Sequence, residues 1–161
     1  MSSLLPQSAS ATASVRARGV LVIDDDEPVR RVLAAGLKHH GFIVWLAADD
    51  QEAVEIYKSH HTSIDLALLD VRMPGRDGPE TLAALRDFDP GVRSCFMTGE
   101  AGLYTQEDLL DLGALAVFRK PFRLNELAEH LIALTTPTDS ADSAPGGSWS
   151  DDAHPGAQVY E

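Results

Sequence analysis

Apolar residues along this chain fall in short, nearly unbroken runs that end abruptly at polar residues. Val20–Ile23, Phe42–Ala47, Asp65–Leu69, Val92–Met97 and Ala114–Phe118 are such runs. They lack the alternation of a strand with one wet face and fit strands buried on both faces. Between them the apolar spacing lengthens to that of a helix. Val29, Val32, Leu33, Gly36 and Leu37 make one stripe, with Pro28 in the first turn and Gly41 at the end. Ala53, Ile56 and Tyr57 mark a helix over Asp49–His60, and Leu82, Leu85 and Phe88 mark another over Pro79–Phe88. Thr105 and Asp108 are spaced as a capping box for a short helix ending at Leu112. Leu124, Leu127, Ala128, Leu131 and Ile132 share one side of a last helix over Leu124–Leu134. Strand and helix alternate five times. Right-handed crossovers then predict a parallel α/β sheet covered by helices on both faces.

The residues that end the runs carry the chemistry. The first strand runs into Asp24-Asp25-Asp26, the third into Asp70, the fourth into Thr98 and the fifth, two residues on, into Lys120. In a parallel sheet these ends share one edge, where open α/β sheets bind ligands. Carboxylates about 4 Å apart repel by roughly 4 kcal/mol at an effective dielectric of 20. A hard divalent cation relieves that repulsion, and Mg2+ suits a shallow oxygen-lined site. Thr98 can donate to a phosphoryl oxygen, Lys120 supplies a point charge, and Asp70 is the natural nucleophile among them.

Charge narrows the partners. The chain of 161 residues carries a net charge of −12 with a pI near 4.7. Sequence-independent nucleic-acid binding needs a basic face, so this balance argues against it. No apolar run reaches membrane-spanning length. The one cysteine, Cys95, lies in an apolar run and reads as core; a lone thiol fits a reducing, cytoplasmic compartment. Residues 1–18, rich in Ser and Ala, read as a disordered leader. Residues 136–161 read as a disordered acidic tail in which Trp149, Val159 and Tyr160 are isolated. His39-His40 and His60-His61 fall at helix ends, where partial positive charge is favoured without any metal.

Four segments together resemble the receiver domain of two-component response regulators. They are VLVIDDDEPVRR, LALLDVRMPGRDG, FMTGE and FRKPF, in that order, within roughly Arg18–Thr135. The resemblance implies a five-stranded sheet of order 2-1-3-4-5 with a receiver domain over 19–135. It implies that Asp70 accepts a phosphoryl group from a histidine kinase or phosphotransfer protein. Asp24 and Asp25 resemble the acidic pair that holds Mg2+, with Asp70 and the backbone carbonyl of Arg72 completing the ligands. Thr98 resembles the hydroxyl that turns to the phosphoryl group, and Lys120 the lysine that pairs with it. Pro121 is then a cis-peptide candidate. The implied output is binding to a downstream protein, with a homodimer through the face of the fourth helix, fifth strand and fifth helix as one form.

Two departures from the family pattern stand out. The switch position, usually aromatic, is Val117, and the residue before Asp77-Gly78 is Arg76, expected to be exposed. By strand alternation Phe118 points to the face opposite Val117. Arg72 and Glu100 lie two residues after Asp70 and Thr98, where opposite charges could bridge the mouth of the site and slow loss of phosphate. Arg30 and Arg31 read as a solvated helix face or a kinase contact. Two other functions remain open at this point. Asp24-x-Asp26 also resembles the nucleophile motif of haloacid dehalogenase-type phosphatases, though that leaves Asp70 and Lys120 unused. A receiver-fold binding module free of phosphorylation control is the other.

Overall fold

The computed structural model describes residues 16–99, 102–137 and 158–160. Each apolar run forms a strand: β1 (Gly19–Ile23), β2 (Ile43–Ala47), β3 (Leu66–Asp70), β4 (Ser94–Thr98) and β5 (Ala116–Arg119). Helices α1 (Glu27–His39), α2 (Asp50–His60), α3 (Gly78–Phe88), α4 (Gln106–Asp111) and α5 (Leu124–Thr135) alternate with them. The five strands are parallel and lie in the expected order, β2-β1-β3-β4-β5. A further strand, β6 (Gln158–Tyr160), adds to the far side of β5, also parallel.

Strand alternation sorts the core into two layers. Leu21, Ile23, Ala67, Leu69, Phe96 and Val117 face Ala53, Tyr57, Leu82, Leu85 and Leu109 of α2, α3 and α4. Val20, Val22, Leu66, Leu68, Cys95, Met97, Ala116 and Phe118 face Leu33 and Leu37 of α1 and Leu127, Ala128 and Leu131 of α5. Val117 and Phe118 are on opposite faces, as alternation requires. Cys95 is fully buried, and burial pushes its thiol up to about 12. It is a core residue.

Helix starts follow from local hydrogen bonding. Asp26, Asp49 and Asp77 cap α1, α2 and α3 through their carboxylates. Asp77 and Glu80 form a reciprocal capping box, as do Thr105 and Asp108 at α4. The histidine pairs behave as helix-end residues: His40 Nδ1 lies 2.8 Å from the Gly36 carbonyl and His61 Nδ1 3.2 Å from that of Lys58.

Several expectations shift. Val32 is 61% exposed, because α1 buries Leu33, Ala34 and Leu37 and so turns its inward arc away from Val32. Phe88, the last residue of α3, is 42% exposed and packs its ring against Tyr57 and His61. His130 is half-buried beside Phe118 rather than on the surface. The last residues assigned to the leader are tied to the fold: Arg16 pairs with Asp65 at 2.6 Å, and Arg18 donates to Thr136 Oγ1 at 3.0 Å. The tail is not featureless, since Gln158–Tyr160 is a strand. Residues 1–15, 138–157 and 161, Trp149 among them, lie outside the described residues, as does Glu100.

Candidate functional site

The C-terminal ends of β1, β3, β4 and β5 meet at one edge of the sheet. β3 carries Asp70 as its last residue, and the strand stops there because Met73-Pro74-Gly75 turns the chain, with Gly75 at φ +80. The loop then closes back. Gly78 N donates to the Val71 carbonyl at 2.9 Å, and a Cβ on Gly78 would meet the Asp70 carbonyl oxygen at 2.4 Å. Only glycine lets the start of α3 lie this close to the end of β3.

Asp24, just past β1, is buried, and its backbone N–H donates to the Ala47 carbonyl at 3.1 Å. Its Oδ1 accepts from Asp26 N at 2.9 Å. Arg30, exposed neither fully nor by half, donates from Nη1 to the Asp24 carbonyl at 2.7 Å, so it braces the acidic turn from within. That role was not visible in the sequence, where Arg30 read as helix surface. Asp25 is exposed at the mouth.

Lys120 joins the strands. Its Nζ donates to Asp70 Oδ1 at 3.1 Å and to Asp24 Oδ2 at 3.2 Å. Its backbone is held by a hydrogen bond from Lys120 N to the Thr98 carbonyl at 2.8 Å, and the following Lys120–Pro121 bond is cis. Each of Asp24, Asp25 and Asp70 offers a carboxylate oxygen within 4.8 Å of the others. Such an all-oxygen, anionic donor set fits a hard divalent cation with room for water.

The electrostatics are tense. Burial raises the Asp70 carboxyl from 3.8 to about 6; the charges of Asp24 and Asp25 push the same way, and Lys120 opposes them. For Lys120, burial disfavours the ammonium, but Asp70 and Asp24 outweigh it and hold the group above the ordinary lysine value. A carboxylate held this far from water and this near to other anions is destabilised, which favours either a bound cation or a new bond.

Thr98 ends β4 beside this group, half-buried, with its Oγ1 donating to the Gly99 carbonyl at 3.3 Å. Val117 is fully buried in the layer under α3 and α4, so no aromatic occupies the switch position. Arg72 is exposed and borders a groove of about 500 Å³ with Met73, Asp77, Glu80, Leu103 and Tyr104. Across that groove Tyr104 donates to Asp77 Oδ2 at 2.8 Å. This bond links the loop before α4 to the cap of α3, and no local pattern announces it because the two residues are 27 positions apart. Arg76 is exposed as expected and lies 3.5 Å from Asp50.

Comparison with known proteins agrees with this geometry. Residues 20–132 match the response regulator receiver domain family. The response regulator MprA of Mycolicibacterium vanbaalenii is 36% identical over 135 residues, covering 82% of this chain and 58% of that protein. The chain thus spans little more than half the length of that regulator. The sporulation initiation phosphotransferase F of Bacillus subtilis is 32% identical over 110 residues, covering 68% of this chain and 87% of that protein. Among solved structures, the CheX–CheY–BeF3–Mg2+ complex from Borrelia burgdorferi superposes with a TM-score of 0.67 at 28% identity. It covers 74% of this chain and 90% of that one. A receiver domain from Clostridium thermocellum superposes with a TM-score of 0.67 at 25% identity, over 72% of this chain and 92% of that one. With its sheet order, its acidic cluster and these relatives, the chain belongs to the receiver-domain family of two-component response regulators.

Proposed function

We propose that this receiver domain is switched by phosphorylation of Asp70. An Asp70 carboxylate oxygen attacks the phosphorus of a phosphohistidine on a partner kinase or phosphotransfer protein. The P–N bond breaks, and the leaving imidazole nitrogen takes up a proton. Lys120, 3.1 Å from Asp70 and 3.2 Å from Asp24, carries this reading. It can follow the developing negative charge without a large movement. A Mg2+ ion held by Asp24, Asp25, Asp70 and the Arg72 carbonyl would neutralise charge on the incoming phosphoryl group. Three oxygens within 4.8 Å support that ligand set.

Thr98 Oγ1, now on the Gly99 carbonyl, has a better acceptor once a phosphoryl oxygen is present. Its rotation moves the loop toward α4. With Val117 in place of an aromatic, that loop and its Tyr104–Asp77 bond carry more of the signal to the surface of α4, β5 and α5. The output is binding of a protein there, or relay of the phosphoryl group to a second histidine protein. The name of the Bacillus relative, a phosphotransferase, supports relay.

The test is intact mass after incubation with Mg2+ and a small phosphodonor such as phosphoramidate. Wild type gains one phosphoryl group, and Asp70→Asn gains none. A gain that survives Asp70→Asn and is lost on Asp24→Asn would move the chemistry to the acidic turn and overturn this reading.

A further inference from the structure

β5 is the edge of the five-stranded sheet, and nothing in its own sequence protects that edge. Ala116, Val117 and Phe118 carry no charge and no proline, and the first charge is Arg119 at the end. An unprotected edge presents a row of backbone donors and acceptors to any extended chain. Here the row is met by the chain itself. Gln158 pairs with Ala116, Val159 with Val117 and Tyr160 with Phe118, all in parallel. Val and Tyr are among the stronger strand formers, and they are isolated in a segment otherwise poor in them.

We infer that the outer edge of β5 is a strand-accepting surface and that the chain's own C-terminal segment, Gln158–Tyr160, is its displaceable occupant. Three residues make too few hydrogen bonds to hold a free peptide, since each is worth only about 1 kcal/mol net. Attachment changes the arithmetic. Residues 138–157 join Pro137 to Gln158, and a chain of 20 residues can span up to roughly 70 Å. Such a tether gives the segment an effective concentration on the order of millimolar. At that concentration a pairing worth about 3–4 kcal/mol is close to balance, so the segment is displaceable. While paired, β6 excludes any other strand from β5, the strand that leads directly to Lys120 and whose Arg119 pairs with Thr98. The segment is therefore a built-in competitor for the face expected to receive partners. This holds whether or not Asp70 accepts phosphate.

The test is amide hydrogen exchange on the full chain, on Val159→Pro and on a chain ending at Ala157. Proline removes a backbone donor at the centre of β6 and disfavours the pairing. Both variants should exchange the β5 amides that do not bond β4 about twofold faster than wild type, as expected for a pairing near balance. Amides of β1 and β3 should be unchanged, which shows that the fold is intact. Protection in wild type should not vary over a tenfold range of protein concentration. Equal β5 exchange in all three chains overturns the inference. Protection that grows with concentration also overturns it, because the occupant is then a second copy.

Discussion

Asp70 is the residue on which the proposed chemistry turns, and its environment predicts a pH signature. Its folded value of about 6 exceeds the ordinary 3.8, chiefly through burial. The protonated form therefore favours folding. Stability of the metal-free domain is fully expressed below pH ~4 and falls as pH rises through about 6, by about 2–3 kcal/mol. Asp70→Asn should abolish that decline, measured by urea unfolding between pH 4 and 7.5 in chelator. Wild type and variant should converge at the acid end. A second prediction concerns the mouth of the site. If Glu100 reaches across to Arg72, Glu100→Ala shortens the acyl-phosphate lifetime by a few-fold, since exposed pairs are worth up to about 1 kcal/mol. Radiolabel decay measures it, and an unchanged lifetime removes the bridge.

Elements, not single residues, bring the site's parts into register. The loop after β3 must fold back on itself for α3 to start beside Asp70, and Gly78 is where it passes closest. Gly78→Ala places a Cβ 2.4 Å from the Asp70 carbonyl oxygen, a backbone atom that cannot swing aside. The expected cost is about 1–3 kcal/mol in chemical denaturation, with slower phosphorylation as the Asp70 backbone shifts. At this scale the strands were readily legible: continuous apolar runs ending in Asp, Thr or Lys signalled buried parallel strands. The helix stripes were legible only in part. Periodicity named Val32 and Phe88 as inward candidates, but which side of an arc faces the sheet depends on the neighbour it packs against. β6 was illegible, because a three-residue strand has no periodicity and depends on an edge 42 positions away.

For the molecule as a whole, the sheet gathers three carboxylates that would repel one another if nothing held them, and the cluster is a candidate cation site. Mg2+ should stabilise the folded domain alone, by about 2.7 kcal/mol at a concentration one hundred times its Kd. Thermal unfolding with and without Mg2+ measures this, and Asp25→Ala should remove most of the gain. The cation favours the ionised form of Asp70 and so draws its folded value back down from about 6, and the decline with pH described above should shrink in its presence.

The amino-acid sequence by itself determined the class of fold, the strand order through family resemblance, and the residue types at the strand ends. Those are local facts: apolar run length, helical spacing, and the polar residue at which each run stops. Only tertiary structure decided that one ammonium bridges two carboxylates, that Arg30 braces the acidic turn, that Tyr104 clasps the cap of α3, and that Gln158–Tyr160 adds a sixth strand beside β5. Each of these joins backbone or side-chain groups whose meeting depends on packing, and a pairing energy exists only once the fold has brought its partners within reach.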